Sequence, residues 1–319
     1  MPKVWAAEMM SVGEREQWAV RVGRQDGEAE RCRLLAAGLL DRTLRVRPDG
    51  TGHLLLPVLE PVEGAVRALF SPHAPRPELP RHELVGGIAI LAEPDREAAE
   101  RLRASRPSIR TVVAPIGHVE GPYRTRRFEV LAGEDSTVAT VREHGLVFRV
   151  DLATVYFSAR LSTERQRLLA LVRPEERVLD MFAGAGPFAL TLARVAGLVV
   201  AADINPAAVE AMVENCRANR VQNVLPLLAD AARLPALFSR SFDRVVMNLP
   251  LSPVPFLPAA FSLCRPGGTI HLYHLQETEG EALPALAGYP VAKVSERRVR
   301  SYSPGRWHAV YDLQVGSEE

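Results

Sequence analysis

Lysine is almost missing from this chain: of 39 basic residues among 319, only Lys3 and Lys293 are not arginine. Arginine suits planar, bidentate contacts to phosphate and guanine edges, but a GC-rich genome gives the same bias, so it points nowhere by itself. An excess of either charge is also lacking. The 38 acidic residues leave a formal net charge of +1, which argues against binding to nucleic acid by bulk electrostatics alone and leaves room for a local patch. Cysteine is scarce and unpaired in spacing. Cys32, Cys216 and Cys264 form neither a disulfide framework nor a zinc pattern, and all three are expected to be reduced packing residues. No apolar run reaches the length of a membrane span, and Met1-Pro-Lys-Val-Trp-Ala-Ala-Glu lacks signal-peptide form. The expectation is a soluble, cytoplasmic protein with no membrane partner.

What is present is one full α/β core's worth of apolar residues, 47% of the chain, and three segments that belong together. Val178-Leu-Asp-Met-Phe-Ala-Gly-Ala-Gly-Pro187 reads as a strand, a loop with glycines at 184 and 186, and a helix start, where backbone can approach a cofactor closely. Leu198 to Ala202 reads as a second strand ending in Asp203, placed to accept hydrogen bonds from a ribose diol. A dinucleotide dehydrogenase would share both elements. Asn248-Leu249-Pro250, after the strand Phe242 to Met247, separates the two: an Asn at that edge, beside a proline that shapes the turn and frees a carbonyl, offers acceptors to a flat N–H-bearing substrate. Alone it is a plain strand-to-turn transition. In register with the others, it reads as an S-adenosylmethionine site acting on a planar nitrogenous ring.

The chain divides into three expected regions. Residues 1–62 read as a small α/β domain, with a helix over Glu28 to Leu40 capped near Gly38 or Asp41 and a hairpin of Leu44–Arg47 with His53–Pro57. A proline-rich connection follows, Ser71 to Pro80. Residues 63–160 read as a mixed α+β domain: a strand Leu84 to Leu91, a helix Asp95 to Ala104, a strand from Thr111, and short strands at Phe128–Leu131, Thr137–Val141 and Leu146–Val150 in one mixed sheet. Residues 161–319 alternate helix and strand and close with a hairpin ending in His308 to Val315, as a class I, Rossmann-like methyltransferase domain does.

Several runs together are similar to one family, the archaeal and eukaryotic type of tRNA (guanine-37 N1)-methyltransferase. They are Gly121-Pro-Tyr-Arg124, Glu143-His-Gly-Leu-Val-Phe148, Val155-Tyr-Phe-Ser-Ala-Arg-Leu-Ser-Thr-Glu-Arg165, Asp180-Met-Phe-Ala-Gly-Ala-Gly-Pro-Phe188, Asp203-Ile-Asn-Pro206, Met247-Asn-Leu-Pro250 and Tyr302-Ser-Pro304. The resemblance covers nearly the whole chain. The first region resembles that family's N-terminal tRNA-binding domain. Implied are S-adenosyl-L-methionine as methyl donor, S-adenosylhomocysteine as product, and tRNA as partner, held at the anticodon loop and the outer corner by a monomer.

The resemblance also implies roles. Guanine N1 carries a proton at neutral pH, so its methylation needs a base and something to hold charge on O6. Glu164 matches the base, Arg124 the O6 partner, and Asn248 holds the base edge. Without the family, Glu164 reads as a helix-face carboxylate and Arg124 as a solvated arginine. Cofactor contacts are expected from Tyr156, Arg165, Asp180, Phe182, Gly184, Gly186, Asp203, Ile204, Asp230, Ala231, Asn248 and Pro250. Tyr156 reads equally as core and Asp230 as a turn cap. Arg126 and Arg127 are candidates for anticodon-loop phosphates or for a solvated strand edge.

Ala185 replaces a usual valine, Gly87 a common aspartate, and His144 a usual asparagine, while Leu251-Ser-Pro-Val-Pro-Phe256 carries two unexpected prolines. The rivals are wyosine-pathway enzymes that transfer the aminocarboxypropyl group or methylate a carbon of the tricyclic base at the same position. A non-catalytic tRNA-binding module stands as the alternative outside enzymes.

Overall fold

A computed structural model describes residues 14–73, 79–120 and 125–316. The chain splits into two compact units, Met1–Glu78 and Leu79–Glu319.

In the first unit, β1 (Arg15–Gly23), β2 (Arg47–Pro48), β3 (His53–Val58) and β4 (Val66–Phe70) form an antiparallel sheet in the order β2-β3-β1-β4. Neither β1 nor β4 stood out in the sequence. Both are exposed along much of their length, so alternation is blurred by charge on the outer face. Helix α1 (Gly27–Ala36) stops short of Leu40, because the Gly38 and Leu39 N–H groups turn back to the Leu35 and Leu34 carbonyls. Cys32 on this helix is exposed, which corrects its expected packing role; Cys216 and Cys264 are buried, and all three are free thiols.

The second unit opens with β5 (His82–Val85), β6 (Ile88–Leu91), α2 (Arg96–Ser105), β7 (Thr111–Glu120) and β8 (Thr125–Gly133) in a sheet ordered β5-β6-β7-β8. The single strand expected over Leu84 to Leu91 is two antiparallel strands. The chain reverses at Gly86, whose φ of +57° and close approach to the Thr140 carbonyl leave no room for a side chain. At Gly87 a Cβ would lie 2.9 Å from Arg110 Nε, so the family's common aspartate could enter only by displacing Arg110. Asp95 caps α2 by accepting the Ala98 N–H at 2.9 Å, an interaction of about 1 kcal/mol.

The remaining short strands do not join that sheet. β9 (Val138–Glu143) and β10 (Leu146–Asp151) pair only with each other, through the turn at His144, where φ is +47°. The outer edge of β10 is covered by side chains of α5 (Pro206–Ala218) and its cap. Asn215 Oδ1 accepts from Arg149 N–H at 2.8 Å, Asn219 Oδ1 accepts from Val147 N–H at 2.8 Å, and both amides donate back to the same residues' carbonyls. Two asparagines one helical turn apart thus imitate a neighbouring strand and satisfy groups that would otherwise seek one.

The large sheet contains β11 (Arg177–Asp180), β12 (Leu198–Asp203), β13 (Val224–Leu228), β14 (Phe242–Met247), β15 (Cys264–Gln276), β16 (Val291–Ser303) and β17 (Arg306–Val315), ordered β13-β12-β11-β14-β15-β17-β16. The first five run parallel and β17 is inserted antiparallel, the Rossmann-like arrangement that the sequence led us to expect. One face packs on α3 (Ser162–Leu169), α4 (Pro187–Leu192) and α5 through Leu168, Phe188 and Met212. The other packs on α6 (Leu257–Leu263) through Leu257, Ala260 and Leu263. Among the described residues no helix is long and apolar enough to cross a membrane.

Candidate active site

Strand order reverses between β11 and β14, and a crevice at the carboxyl ends of parallel strands opens there by topology alone. Asp180 ends β11, Asp203 ends β12 and Asn248 follows β14, so three residues from three segments arrive at one edge. The loop after β11 is pinned at both sides. Met181 N–H donates to the Val246 carbonyl at 3.0 Å and Ala183 N–H to the Ala202 carbonyl at 2.9 Å.

Asp203 joins the first two loops. Its Oδ2 accepts the Gly184 N–H at 2.7 Å and its Oδ1 accepts the Asn205 N–H at 2.9 Å, which leaves each oxygen a lone pair for a hydroxyl. Burial pushes its carboxyl above the usual range, against the opposing pull of those backbone donors. The two loop glycines differ in function. Gly184 (φ +55°) would bring a Cβ to 3.5 Å from the Tyr156 carbonyl, whereas Gly186 (φ +85°) opens α4 and would bring one to 2.7 Å from Leu190 Cδ1 and 2.9 Å from Met212 Cγ. Gly184 is required by its left-handed backbone, and Gly186 also by the room that lets α4 pack against α5.

Asp180 is 1% exposed, and burial pushes its carboxyl up to about 7, with the neighbouring Asp203 charge acting the same way and the Phe182 N–H opposing. Its Oδ1 accepts that N–H at 3.4 Å; its Oδ2 is buried with no partner among the described residues. A buried carboxylate oxygen without a donor beside a glycine loop fits an ammonium or hydroxyl supplied by a ligand. Phe182 packs edge-on against Phe256, with ring centroids 5.0 Å apart, and ties this loop to the segment after Pro250.

Beyond β12, Ile204 is 44% exposed, an apolar side chain left bare at the crevice edge. Asp230 caps the turn after β13 by accepting the Ala232 N–H at 2.9 Å. Ala231 is buried, so its side chain belongs to the core below the site. The Asn248 amide is half-buried and makes no hydrogen bond with the described residues. The carbonyl expected to be freed at the proline is taken: Leu275 N–H donates to the Pro250 carbonyl at 2.8 Å, and Ser252 N–H donates to that of Leu249. With those two carbonyls engaged, the Asn248 amide is a polar group this turn still presents.

The segment before α3 resolves the reading of Tyr156. Phe157 enters the core, 6.0 Å from Phe148, and Tyr156 is 54% exposed. Asn205 Nδ2 donates to the Thr154 carbonyl at 2.7 Å, which fixes this segment to the Asp203 loop. Arg165 was expected to touch cofactor. Its guanidinium is 1% exposed and already engaged, with Nε on Glu143 at 2.7 Å and both terminal nitrogens on the Ser158 carbonyl at 3.3 Å. It ties the β9–β10 hairpin to the segment bearing Tyr156.

Glu164 is not the solvated helix carboxylate that its sequence position alone suggests. It is 5% exposed; Arg167 Nε reaches its oxygens at 3.0 and 2.9 Å, Arg167 Nη2 reaches Oε1 at 2.7 Å, and the Tyr273 hydroxyl donates to Oε1 at 2.7 Å. Arg167 also donates to Asp312 at 2.7 Å, Asp312 accepts from His271 Nδ1 at 2.5 Å, and Arg244 Nη1 lies 2.7 Å from His271 Nε2. Sequence reasoning missed Arg167, Tyr273, His271 and Asp312. Only Arg167, three residues after Glu164 on one helix face, left a signal. Arg124 and the run from Gly121 lie outside the described residues. Arg126 and Arg127 on β8 are exposed, and Tyr302 stacks on His308 with centroids 5.4 Å apart.

Residues 139–287 match the TRM5/TYW2 methyltransferase domain, and residues 19–66 match the tRNA methyltransferase 5 N-terminal domain. A tRNA (guanine(37)-N(1))-methyltransferase, Trm5b of Pyrococcus abyssi, is 35% identical over 93% of this chain and 98% of its own. The crystal structure of that organism's Trm5b superposes with a TM-score of 0.74 at 34% identity, covering 94% of this chain and 99% of the other. A complex of aTrm5 and tRNALeu superposes at 0.68, with 27% identity over 93% and 99% of the two chains. A tRNA(Phe) (4-demethylwyosine(37)-C(7)) aminocarboxypropyltransferase of Methanocaldococcus jannaschii is 30% identical over 73% of this chain and 97% of its own.

Proposed function

Because this chain belongs to the TRM5/TYW2 methyltransferase family, we propose that it transfers the methyl group of S-adenosylmethionine to N1 of guanosine 37 in tRNA. The observation that carries this reading is the meeting of Asp180, Asp203 and Asn248 at one carboxyl edge, where Asp180 Oδ2 has no partner among the described residues, Asp203 accepts only backbone donors, and a half-buried amide stands without a hydrogen bond to the described residues. Asp203 takes the ribose hydroxyls, and Gly184 lets the cofactor lie on backbone. The unpartnered Asp180 oxygen takes the methionine ammonium, Ile204 and Asp230 flank the adenine, and Tyr156 walls the methionine end. When bound, the cofactor supplies an electrophilic methyl on a sulfonium.

Asn248 holds the guanine edge so that N1 faces that methyl. The N1–carbon bond forms as the sulfur–carbon bond breaks, the sulfonium becomes a neutral thioether, and the N1 proton passes to Glu164. Arg124 stabilises the negative charge that gathers on O6. The N-terminal unit and the exposed Arg126 and Arg127 supply phosphate contacts, the first to the outer corner and the second to the anticodon loop. The protein works as a cytoplasmic monomer.

Nucleoside mass spectrometry on transcripts bearing guanosine or adenosine at position 37, incubated with cofactor labelled separately on methyl and carboxyl carbon, tests the reading. Methyl label in 1-methylguanosine of the guanosine transcript alone is expected. Carboxyl label in the tRNA would replace it with aminocarboxypropyl transfer, the reaction named in the M. jannaschii relative.

A further inference from the structure

The Glu164 carboxylate is unusually crowded for a group that must accept a proton. Its surroundings explain how it can. On α3, Arg167 presents one guanidinium edge to Glu164 and the adjoining edge to Asp312 of β17, with Nη1 2.7 Å and Nη2 3.3 Å from the Asp312 oxygens. Two carboxylates therefore share one cation. From β15, Tyr273 donates to Glu164, and His271 faces Asp312. Arg244 of β14 reaches His271 Nε2 and holds Glu176 at 2.8 Å. The neighbouring α4 carries no titratable side chain, Arg165 is consumed by Glu143, and Arg160 before α3 pairs with Glu83 at 3.1 Å on the surface.

The tautomer of His271 follows from its neighbours. Arg244 can only donate, so Nε2 accepts, and Nδ1 carries the proton that it donates to Asp312. Burial, Arg244 and Arg167 push the His271 pKa down, which favours the neutral ring; burial raises the Asp312 carboxyl, but the His271 hydrogen bond and the hydrogen bonds and charge of Arg167 outweigh it and hold Asp312 low, ionised. Burial and the Glu164 charge push the Tyr273 hydroxyl well up, so it remains a donor. The string from Glu176 to Glu164 thus sets three carboxylates against two guanidiniums. It carries a net negative charge while Glu164 is ionised and none once Glu164 has taken a proton.

We propose that Asp312 sets the basicity of Glu164 through the guanidinium they share, making Asp312, Arg167 and Tyr273 positioning residues of methyl transfer. Were Glu164 the sole partner of Arg167, protonating it would leave a half-buried cation uncompensated, which is unfavourable. With Asp312 on the adjoining edge, Arg167 remains compensated after the proton arrives. Tyr273 works the other way, since its hydroxyl favours the charged carboxylate. This proposal rests on the reading of Glu164 as the N1 proton acceptor.

Single-turnover methyl transfer, with tRNA and cofactor saturating, measured from about pH 5 to about pH 9, separates these effects. Asp312→Asn removes the competing charge, so the acidic limb of the rate profile moves down by about one pH unit and the neutral-pH rate falls about threefold, with cofactor affinity unchanged. Asp312→Glu restores the limb. Tyr273→Phe moves it up, in the opposite direction, by about half a unit. Limbs that stay in place, or that move together, overturn the proposal; if Asp312→Asn does not fold, an unmoved limb in Tyr273→Phe does so alone. Glu164→Gln at wild-type rate would instead overturn the underlying reading, whatever the limbs do.

Discussion

The two halves of the proposed site are built on opposite plans. At the proposed cofactor edge, Asp180 and Asp203 are the last residues of their own strands, use backbone donors, and leave carboxylate valence unsatisfied. At the proposed proton-accepting side, Glu164 is held by side chains as far as 109 residues away, with Oε1 crowded and Oε2 meeting only Arg167 Nε, and its partner Arg167 reaches 145 residues to Asp312. The contrast matches the tasks. A binding edge must keep groups in reserve for a ligand that arrives, whereas a base must be held in place and have its charge balanced before and after it acts. The first plan tolerates local variation, and the second depends on the whole sheet being closed by β17.

The comparison breaks most visibly at Glu164. Glu164→Gln keeps the shape and one acceptor but cannot take the N1 proton, so single-turnover methyl transfer should fall by about 10²- to 10³-fold while cofactor affinity, measured by calorimetry, stays within about twofold. Equal loss of both would mean that the two halves are one structural unit. Asp203→Asn should do the reverse. Removing one anionic acceptor while the Gly184 N–H still finds an oxygen should raise the cofactor Kd about tenfold and leave the rate at saturation nearly unchanged.

The same division explains what could be read in the sequence. The meeting of Asp180, Asp203 and Asn248 at one edge, with Gly184 in the loop between β11 and α4, was legible because each lies at or just past a strand's end within a short run. Fold class was legible for the same reason, since parallel strands announce themselves as apolar runs between helices. Tyr273, His271 and Asp312 were not, because β15 and β17 are antiparallel neighbours whose register, Tyr273 opposite Val310 and His271 opposite Asp312, exists only after the sheet closes. The strand expected over Leu84 to Leu91 failed through a turn that Gly86 hides inside an apolar run. The expected mixed sheet failed because Asn215 and Asn219, unremarkable on a helix, take the place of a strand.

The smallest effect sharpens the comparison from the cofactor side. Asp180 has its carboxyl raised from 3.8 to about 7, chiefly by burial, so in the free protein ionising it costs stability. The sign follows from linkage: the folded state holds the proton more tightly than the unfolded chain, so this contribution is full below about pH 4, declines as pH rises, and is lost above about pH 7. A ligand ammonium against the unpartnered Oδ2 reverses that preference, because it favours the charged form. Thermal melts of the free protein should therefore fall between about pH 5 and about pH 8 by a few degrees more than those of Asp180→Asn, and saturating S-adenosylmethionine should flatten the difference. If the cofactor leaves the pH dependence of the wild-type melt untouched, the reserve at Asp180 is not for the ammonium, and the cofactor edge would then keep its carboxylate buried for the loop alone.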